Sequence, residues 1–458
     1  MINLRKTLKV GVSGIRGVVG ESLTPLLVAS FASSFGRYVG GGRVVVGRDT
    51  RPSGEMLEHA VVAGLLAVGC QPVILGIAPT PTVQLMVEEI SANGGIAITA
   101  SHNPVEWNAL KFIGPKGMFL DSNEADELLD IYNQQDLSYA EEQDYRDVRQ
   151  MPDAFEIHQK KIFDNIDLRA IRARKFKVAV DCCNGVGALF TRPFLEAMGC
   201  EVSTIFDRPD GVFERTPEPV AENLSALEEF VKTTGADIGL AHDPDGDRLA
   251  IVDNNGRAIG EQYTLVLAAD HVLSENPGIV AANIQTTRAL EDVAASYGCE
   301  VVYTKVGEIY VVEKMVELAA EIGGEGNSGG VIWRRIHPGR DSYVAMALIL
   351  EMLAVSGQSL DEIVGSLPRY CNRTKKFQCA AFAAREIVRH FCRKYADRTP
   401  ILLDGLRIRM NKSWILIRPS NTEPVLRLTA ESTDEKEVSA LLEQFSREIS
   451  ELLQQFTA

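Results

Sequence analysis

The chain has 458 residues, 45% of them hydrophobic and 24% charged, with a formal net charge of −15. That length exceeds what a single core serves, so several domains are expected in an ordinary globular protein, and the acidic balance excludes nonspecific nucleic-acid binding. No apolar run approaches the ~20 residues of a membrane span and the N-terminus lacks a signal-peptide apolar region, so no membrane partner is expected. The eight cysteines form no Cys-x-x-Cys pair. Cys70, Cys182, Cys183, Cys200 and Cys299 lie in or beside apolar stretches, as buried free thiols do, and this predicts a reducing, cytoplasmic setting.

In chain order, Val44-Val45-Val46-Gly47-Arg48-Asp49 reads as a buried strand entering a polar loop. An Ala/Leu-rich helix follows, ending at Gly69-Cys70, and then the strand Pro72-Val73-Ile74-Leu75. The same succession starts again at Val178-Ala179-Val180-Asp181, with a helix ending at Gly199-Cys200 and a strand opening at Val202. A third copy starts at Ile279-Val280-Ala281-Ala282-Asn283; its helix, Thr287 to Tyr297, ends at Gly298-Cys299 before Val301-Val302-Tyr303. Each glycine suits the left-handed position after a helix. The repetition predicts three related α/β domains with mixed, mostly parallel sheets. The remainder differs: a helix over 380–395, strands at Leu406–Met410, Trp414–Ile417 and Val425–Leu428, and an amphipathic helix over 435–456 with Val438, Leu441, Leu442 and Phe445 on one face. This is a smaller α+β domain, and the expected domains are 1–153, 154–255, 256–370 and 371–458.

Four stretches carry chemistry. The buried strand Gly95-Ile96-Ala97-Ile98 runs into Thr99-Ala100-Ser101-His102-Asn103-Pro104, which places a serine hydroxyl outside a strand's carboxyl end, where α/β sheets bind ligands. Ser101 is there a nucleophile or phosphate carrier, or a turn residue. His102 is a base or a structural hydrogen-bonding group. Asp243-Pro244-Asp245-Gly246-Asp247-Arg248 sets alternate aspartates in a tight loop, as a hard divalent cation requires. An EF-hand is excluded, since Arg248 stands where its glycine belongs and Asn254 where its glutamate belongs. Arg248 beside the cluster suggests that an anion shares the site. Gly323-Gly324-Glu325-Gly326-Asn327-Ser328-Gly329-Gly330 lets backbone approach a ligand while Glu325 and Ser328 bond hydroxyls. Arg418-Pro419-Ser420-Asn421-Thr422-Glu423-Pro424 gathers a guanidinium, hydroxyls and an amide into a phosphate cradle, or is an inter-strand turn. Arg16 and Lys111 are candidate cations for balancing charge in phosphoryl transfer. His337 lies in a further polar loop with Arg340.

Together these stretches resemble the α-D-phosphohexomutase superfamily over nearly the whole chain: 99–104 its phosphoserine loop, 243–248 its magnesium loop, 325–328 its sugar-binding loop and 418–422 its phosphate-binding loop. The resemblance implies three α/β domains and a smaller fourth around a central cleft. It implies that Ser101 carries a phosphoryl group beside Mg²⁺ held by Asp243, Asp245 and Asp247. A hexose phosphate would pass through a hexose 1,6-bisphosphate, with Arg16, Lys111 and His102 as catalytic groups. Arg248, Lys305, Glu325, Asn327, Ser328, His337 and Arg340 would bind the sugar, and Arg418, Ser420, Asn421, Thr422 and Arg427 the phosphate not being transferred. Many relatives follow the sugar loop with a histidine where this chain has Gly330. The stretches Gly324–Asn327, Glu106–Asn108 and Gly339–Asp341 look most like a subgroup usually assigned as phosphoglucosamine mutases, with phosphomannomutase/phosphoglucomutase activity the alternative. A monomer or homodimer is expected. A sugar phosphatase would have no need of the second cradle, and a non-catalytic sugar-phosphate sensor no need of Ser101 with all three aspartates.

Overall fold

The computed structural model describes residues 7–11, 14–134, 137–420 and 424–457. Three units share one plan: a strand, a helix, a second strand, a helix, a third strand, a short loop and a fourth strand. In unit I the strands are Gly42–Arg48, Cys70–Ile77, Gly94–Ile98 and Trp107–Ile113; in unit II Lys177–Asp181, Glu201–Ile205, Ile238–His242 and Leu249–Val252; in unit III Val280–Asn283, Val301–Thr304, Ile322–Glu325 and Gly330–Trp333. In every unit the spatial order is fourth, third, first, second, the fourth strand antiparallel to the third and the other pairs parallel. Unit I extends this sheet with Lys9–Gly11 and Gly14–Val18 beyond its fourth strand and Arg149–Gln150 beyond its second. The glycines before each second strand, Gly69, Gly199 and Gly298, all have positive φ (77°, 84° and 70°). The helix expected from Thr287 runs over Ala289–Ser296, because Thr287 and Arg288 belong to the loop that meets the C-terminal domain.

The fourth domain has a five-stranded antiparallel sheet backed by helices Ala381–Lys394 and Glu435–Thr457. Its edge strand, Cys371–Gln378, has no counterpart in the sequence reading. Its residues are mostly polar and exposed, so alternation is absent, and it is held by register with Val425–Ser432. Lys375 and Lys376 on such an edge discourage pairing with another chain.

Long as the chain is, one apolar cluster runs through units I to III. At its centre is the helix Ser342–Ser356, whose first twelve residues are all buried. The fourth domain keeps a separate core around Ile387, Phe391, Ile415 and Phe445. No single described helix is long and apolar enough to cross a membrane. All eight cysteines are free; Cys70, Cys182, Cys183 and Cys200 are buried and Cys299 is half-buried.

Candidate active site

The three functional loops of the sequence reading are the same loop three times, the connection between third and fourth strands. Strand register aligns them. Arg48 pairs with Ile98, Asp181 with Ala241 and Ala282 with Gly324, so one step on Asp49 faces Thr99 and Asn283 faces Glu325. Two residues further along lie Ser101, Asp243 and Asn327, one per unit. The unit-end residue also recurs in role. Asp49, Asp181 and Asn283 each accept, through Oδ1, the backbone N–H two residues ahead. Unit III has asparagine because Glu325 is its neighbour: Asn283 Nδ2 donates to Glu325 Oε1 at 2.9 Å, where a second carboxylate would repel.

Ser101 is buried with φ +48°, and its Oγ donates to Asp243 Oδ2 at 2.8 Å. Asp243, Asp245 and Asp247 are 0% exposed, with one carboxylate oxygen of each within 4.8 Å of the others. Burial and the two neighbouring carboxylates push the Asp243 carboxyl well up. Burial would do the same to Asp245, but Lys111, at 2.7 Å, with hydrogen bonds from Asp243 and Thr80, outweighs it and holds that carboxyl below its usual range. Oδ1 of Asp245 and Oδ1 of Asp247 are buried without a hydrogen-bond partner among the described residues. Crowded, dry carboxylate oxygens with unused lone pairs fit a hard divalent cation.

Cations surround the triad. Burial would lower the Lys111 ammonium, yet Asp245 and Asp247 outweigh it and raise it. Arg16, on the strand Gly14–Val18, donates to Asn103 Oδ1 at 2.6 Å and is lowered by burial and by Arg248 and Arg51. His102 Nδ1 lies 3.3 Å from Ser101 Oγ. Its imidazole is pulled down to about 2, chiefly by the Arg248 charge and then by burial, so it is neutral and a poor base.

A cleft of about 530 Å³ joins these groups to the other loops; its walls include Arg16, Ser101, His102, Lys111, Arg248, Glu325, Arg340, Arg418, Ser420 and Arg427. Asn421 and Thr422 lie outside the described residues. Five of the residues expected to bind the sugar are placed as follows. His337 is not a cleft residue: it is 1% exposed and its Nε2 is 3.1 Å from Asp341 Oδ2, which His158 also meets. Ser328 closes its own turn, Oγ donating to the Glu325 carbonyl at 3.1 Å, and Asn327 accepts from Asn283 Nδ2 at 2.6 Å. Arg340 lines the cleft but is engaged by three carboxylates, Asp247 at 2.7 Å, Glu308 at 3.0 Å and Glu325 at 2.6 Å; it ties the metal loop to the sugar loop. Lys305 is exposed, its ammonium 5.5 Å from the Tyr310 ring, and its neighbours Val306 to Tyr310 line the wall instead. Gly330 is required by Arg340, since a Cβ there would overlap the Arg340 Cδ. Sequence reasoning missed Glu308, a buried carboxylate of the wall held by Gln84 and Arg340, although it lies three positions after Lys305.

Family models for phosphoglucomutase/phosphomannomutase match in chain order: α/β/α domain I over 7–138, domain II over 156–256, domain III over 260–370 and the C-terminal domain over 371–448. The chain belongs to this family. It is 37% identical to a phosphoglucomutase/phosphomannomutase of Thermococcus kodakarensis, over 94% of this chain and 96% of that one. It is 36% identical to a probable phosphoglucosamine mutase of Methanopyrus kandleri, over 95% and 96%. Among solved structures, a phosphoglucomutase/phosphomannomutase family protein from Burkholderia thailandensis superposes with TM-score 0.85 at 29% identity, covering 97% of this chain and 98% of that one. The chain is thus a phosphohexomutase, an intramolecular phosphotransferase with an acidic triad able to bind a metal.

Proposed function

We propose that this phosphohexomutase converts glucosamine 6-phosphate to glucosamine 1-phosphate through phospho-Ser101 and a hexose 1,6-bisphosphate. The observation that carries the reading is the Ser101 hydroxyl 2.8 Å from Asp243 of the aspartate triad, in a cleft that Arg418, Ser420 and Arg427 also line. Asp243, Asp245 and Asp247, with an oxygen of the Ser101 phosphoryl group, would hold Mg²⁺. When bound, that ion neutralises charge on the transferring group.

Lys111, Arg16 and Arg248 stand around Ser101 as fixed positive charges for the same group. Arg418, Ser420, Asn421, Thr422 and Arg427 hold the phosphate not in transit, and Glu325, itself oriented by Asn283 and Arg340, accepts from sugar hydroxyls. The first transfer breaks the Ser101 Oγ–P bond and forms a P–O bond to the free sugar hydroxyl, whose proton is lost as Ser101 Oγ takes one up and returns to a hydroxyl. The bisphosphate then turns in the cleft, and its other phosphoryl group returns to Ser101. Eight free cysteines, four of them buried and none exposed, fit work in the cytoplasm, and the assembly expected is a monomer or homodimer.

Relatives named probable phosphoglucosamine mutases support the amino sugar. The Thermococcus kodakarensis relative at 37% identity supports the alternative, glucose and mannose phosphates. Glucosamine, glucose and mannose 6-phosphates assayed side by side decide: the amino sugar is expected to give the highest kcat/KM. Peptide mapping of the turning-over enzyme should place phosphate on Ser101, Ser101→Ala should lose nearly all turnover, and Mg²⁺ should restore activity after chelation. Phosphate mapped elsewhere, or a near-normal alanine variant, would overturn the mechanism.

A further inference from the structure

Arg51 follows the first strand of unit I and is 1% exposed, an unusual place for an arginine. A guanidinium has five N–H donors, and all of them are engaged. Nε donates to Asp49 Oδ2 at 3.0 Å. Nη1 donates to the carbonyls of Pro104, at 2.6 Å, and Trp107, at 3.0 Å; Nη2 donates to those of Ser101, at 2.7 Å, and Asn103, at 2.6 Å. Three of the five acceptors are therefore backbone oxygens of the loop that carries Ser101, and a fourth belongs to Trp107, the strand residue on which that loop ends. The circuit closes through Thr99, whose Oγ1 donates to Asp49 Oδ2 at 2.6 Å and accepts from the Ser101 N–H at 2.9 Å.

This clamp answers a local problem. Ser101 has φ +48°, which an L residue keeps only with support from its surroundings. Carbonyl oxygens drawn to Arg51 are also unavailable to repel a phosphoryl group on the same loop. Arg51 does not line the cleft. Its guanidinium lies 4.9 Å from the ring of Phe213, a residue of unit II, so the clamp sits where the serine loop meets the unit that supplies the aspartates. The device recurs there. Arg215 donates Nε to Asp181 Oδ2 at 2.6 Å and Nη2 to the carbonyl of His242, the residue before Asp243, at 2.6 Å.

We infer that Arg51 is a positioning residue for phosphoryl transfer: without touching substrate, it sets the backbone of residues 101–107 so that Ser101 Oγ stays against the metal loop. The inference rests on the reading of Ser101 as phosphoryl carrier. Wild-type enzyme and variants are therefore first loaded with glucose 1,6-bisphosphate and mapped by mass, so that phosphate absent from Ser101 in the wild type sinks that reading separately. Arg51→Lys keeps the charge but has three donors and no planar fork. It should still be loaded at Ser101, with kcat lower by about 100-fold, the cost of a displacement near 1 Å, KM for hexose 6-phosphate little changed, and faster amide exchange confined to 99–107. Phe213→Leu, a half-buried change outside unit I, should lower kcat by about threefold with the same unchanged KM. A normal kcat and normal loop exchange in Arg51→Lys, or a raised KM with kcat intact, overturns the inference. If Arg51→Lys does not fold, Phe213→Leu decides, and wild-type kcat and loop exchange in that variant overturn it.

Discussion

An arginine bound edge-on by a carboxylate keeps its orientation while presenting the rest of its fork. Arg418, on the cleft wall, is held this way, its Nε donating to Asp404 Oδ2 at 2.7 Å with both side chains nearly buried. Such a guanidinium suits bidentate capture of phosphate. Arg418→Ala should weaken hexose-phosphate binding by about 2–5 kcal/mol, and Arg418→Lys should recover only part, since an ammonium has no fork. Titration of the Ser101→Ala background with hexose phosphate measures this without turnover, and an unchanged Kd in the alanine variant would move phosphate recognition to another loop. At this scale the sequence is legible wherever chemistry is contiguous. Ser101, the three aspartates, Glu325 and Arg418 each lie in a short polar run that announces itself. Arg51, Thr80 and Glu308 do not, because Arg51 meets Ser101 across 50 positions, Thr80 meets Asp245 across 165 and Glu308 meets Gln84 across 224, and only the fold brings them together. His337 failed for the complementary reason: a polar loop in sequence became a buried network in space.

At the scale of elements, the hairpin Ile322–Glu325 to Gly330–Trp333 works as a holder for Arg340. Gly330 leaves the room that the Arg340 side chain fills on its way to three carboxylates. Gly330→Ala should displace that side chain and cost about 1–3 kcal/mol of stability, with activity falling alongside; a thermal melt indistinguishable from wild type would show that the hairpin yields. The helix Ser342–Ser356 starts from the neighbouring Asp341, which caps the N–H groups of Tyr343 and Val344 and takes His158 and His337 on its other oxygen. Burial holds the His337 imidazole below its ordinary value; Asp341 opposes that pull, while His158 and Lys161 add to it. The unfolded chain's imidazole takes up a proton as pH falls through about 6.5, while the folded one does so only at lower pH, so its contribution to stability is lost on acidification. His337→Gln should flatten the decline of the melting temperature between pH 7 and 5, and parallel slopes for the two proteins would refute this. The repeated strands were readable because their apolar runs and Gly-Cys punctuation are local. The edge strand Cys371–Gln378 was not, because its pairing with Val425–Ser432, not its composition, makes it a strand.

At the scale of the molecule, the fourth domain stands apart. Units I to III share apolar contacts, which composition alone did not foretell, whereas the division into three like parts and one unlike part was readable from the repeats. The fourth domain meets unit III through a patch that is polar as well as apolar. Ile284, Trp414 and Leu416 form its apolar part. Arg407, 0% exposed, lies 4.3 Å from each of the Tyr303 and Trp414 rings and donates to the Ile284 carbonyl at 2.9 Å. Glu431 accepts the Arg288 N–H at 2.8 Å. Stacked rings either side of a flat cation tolerate rotation in their own plane better than separation, and domains joined by partly polar interfaces move by default. The cleft needs both behaviours. Ser101 of unit I and Arg418, Ser420 and Arg427 of the fourth domain line the same cleft. A bisphosphate must be released, turned and gripped again without escaping, which a fixed open cleft would not retain and a fixed closed one would not allow. The fourth domain is therefore expected to rotate about the Arg407 patch and close when phosphate binds Arg418 and Ser420. Solution scattering with and without hexose phosphate should show a contraction. A crosslink fastening the fourth domain to unit I across the cleft mouth should slow overall conversion while sparing the first transfer from phospho-Ser101. Superposable structures with and without substrate phosphate, together with normal turnover by the crosslinked enzyme, would mean that the bisphosphate turns within a rigid cleft and that the Arg407 patch is a fixed joint.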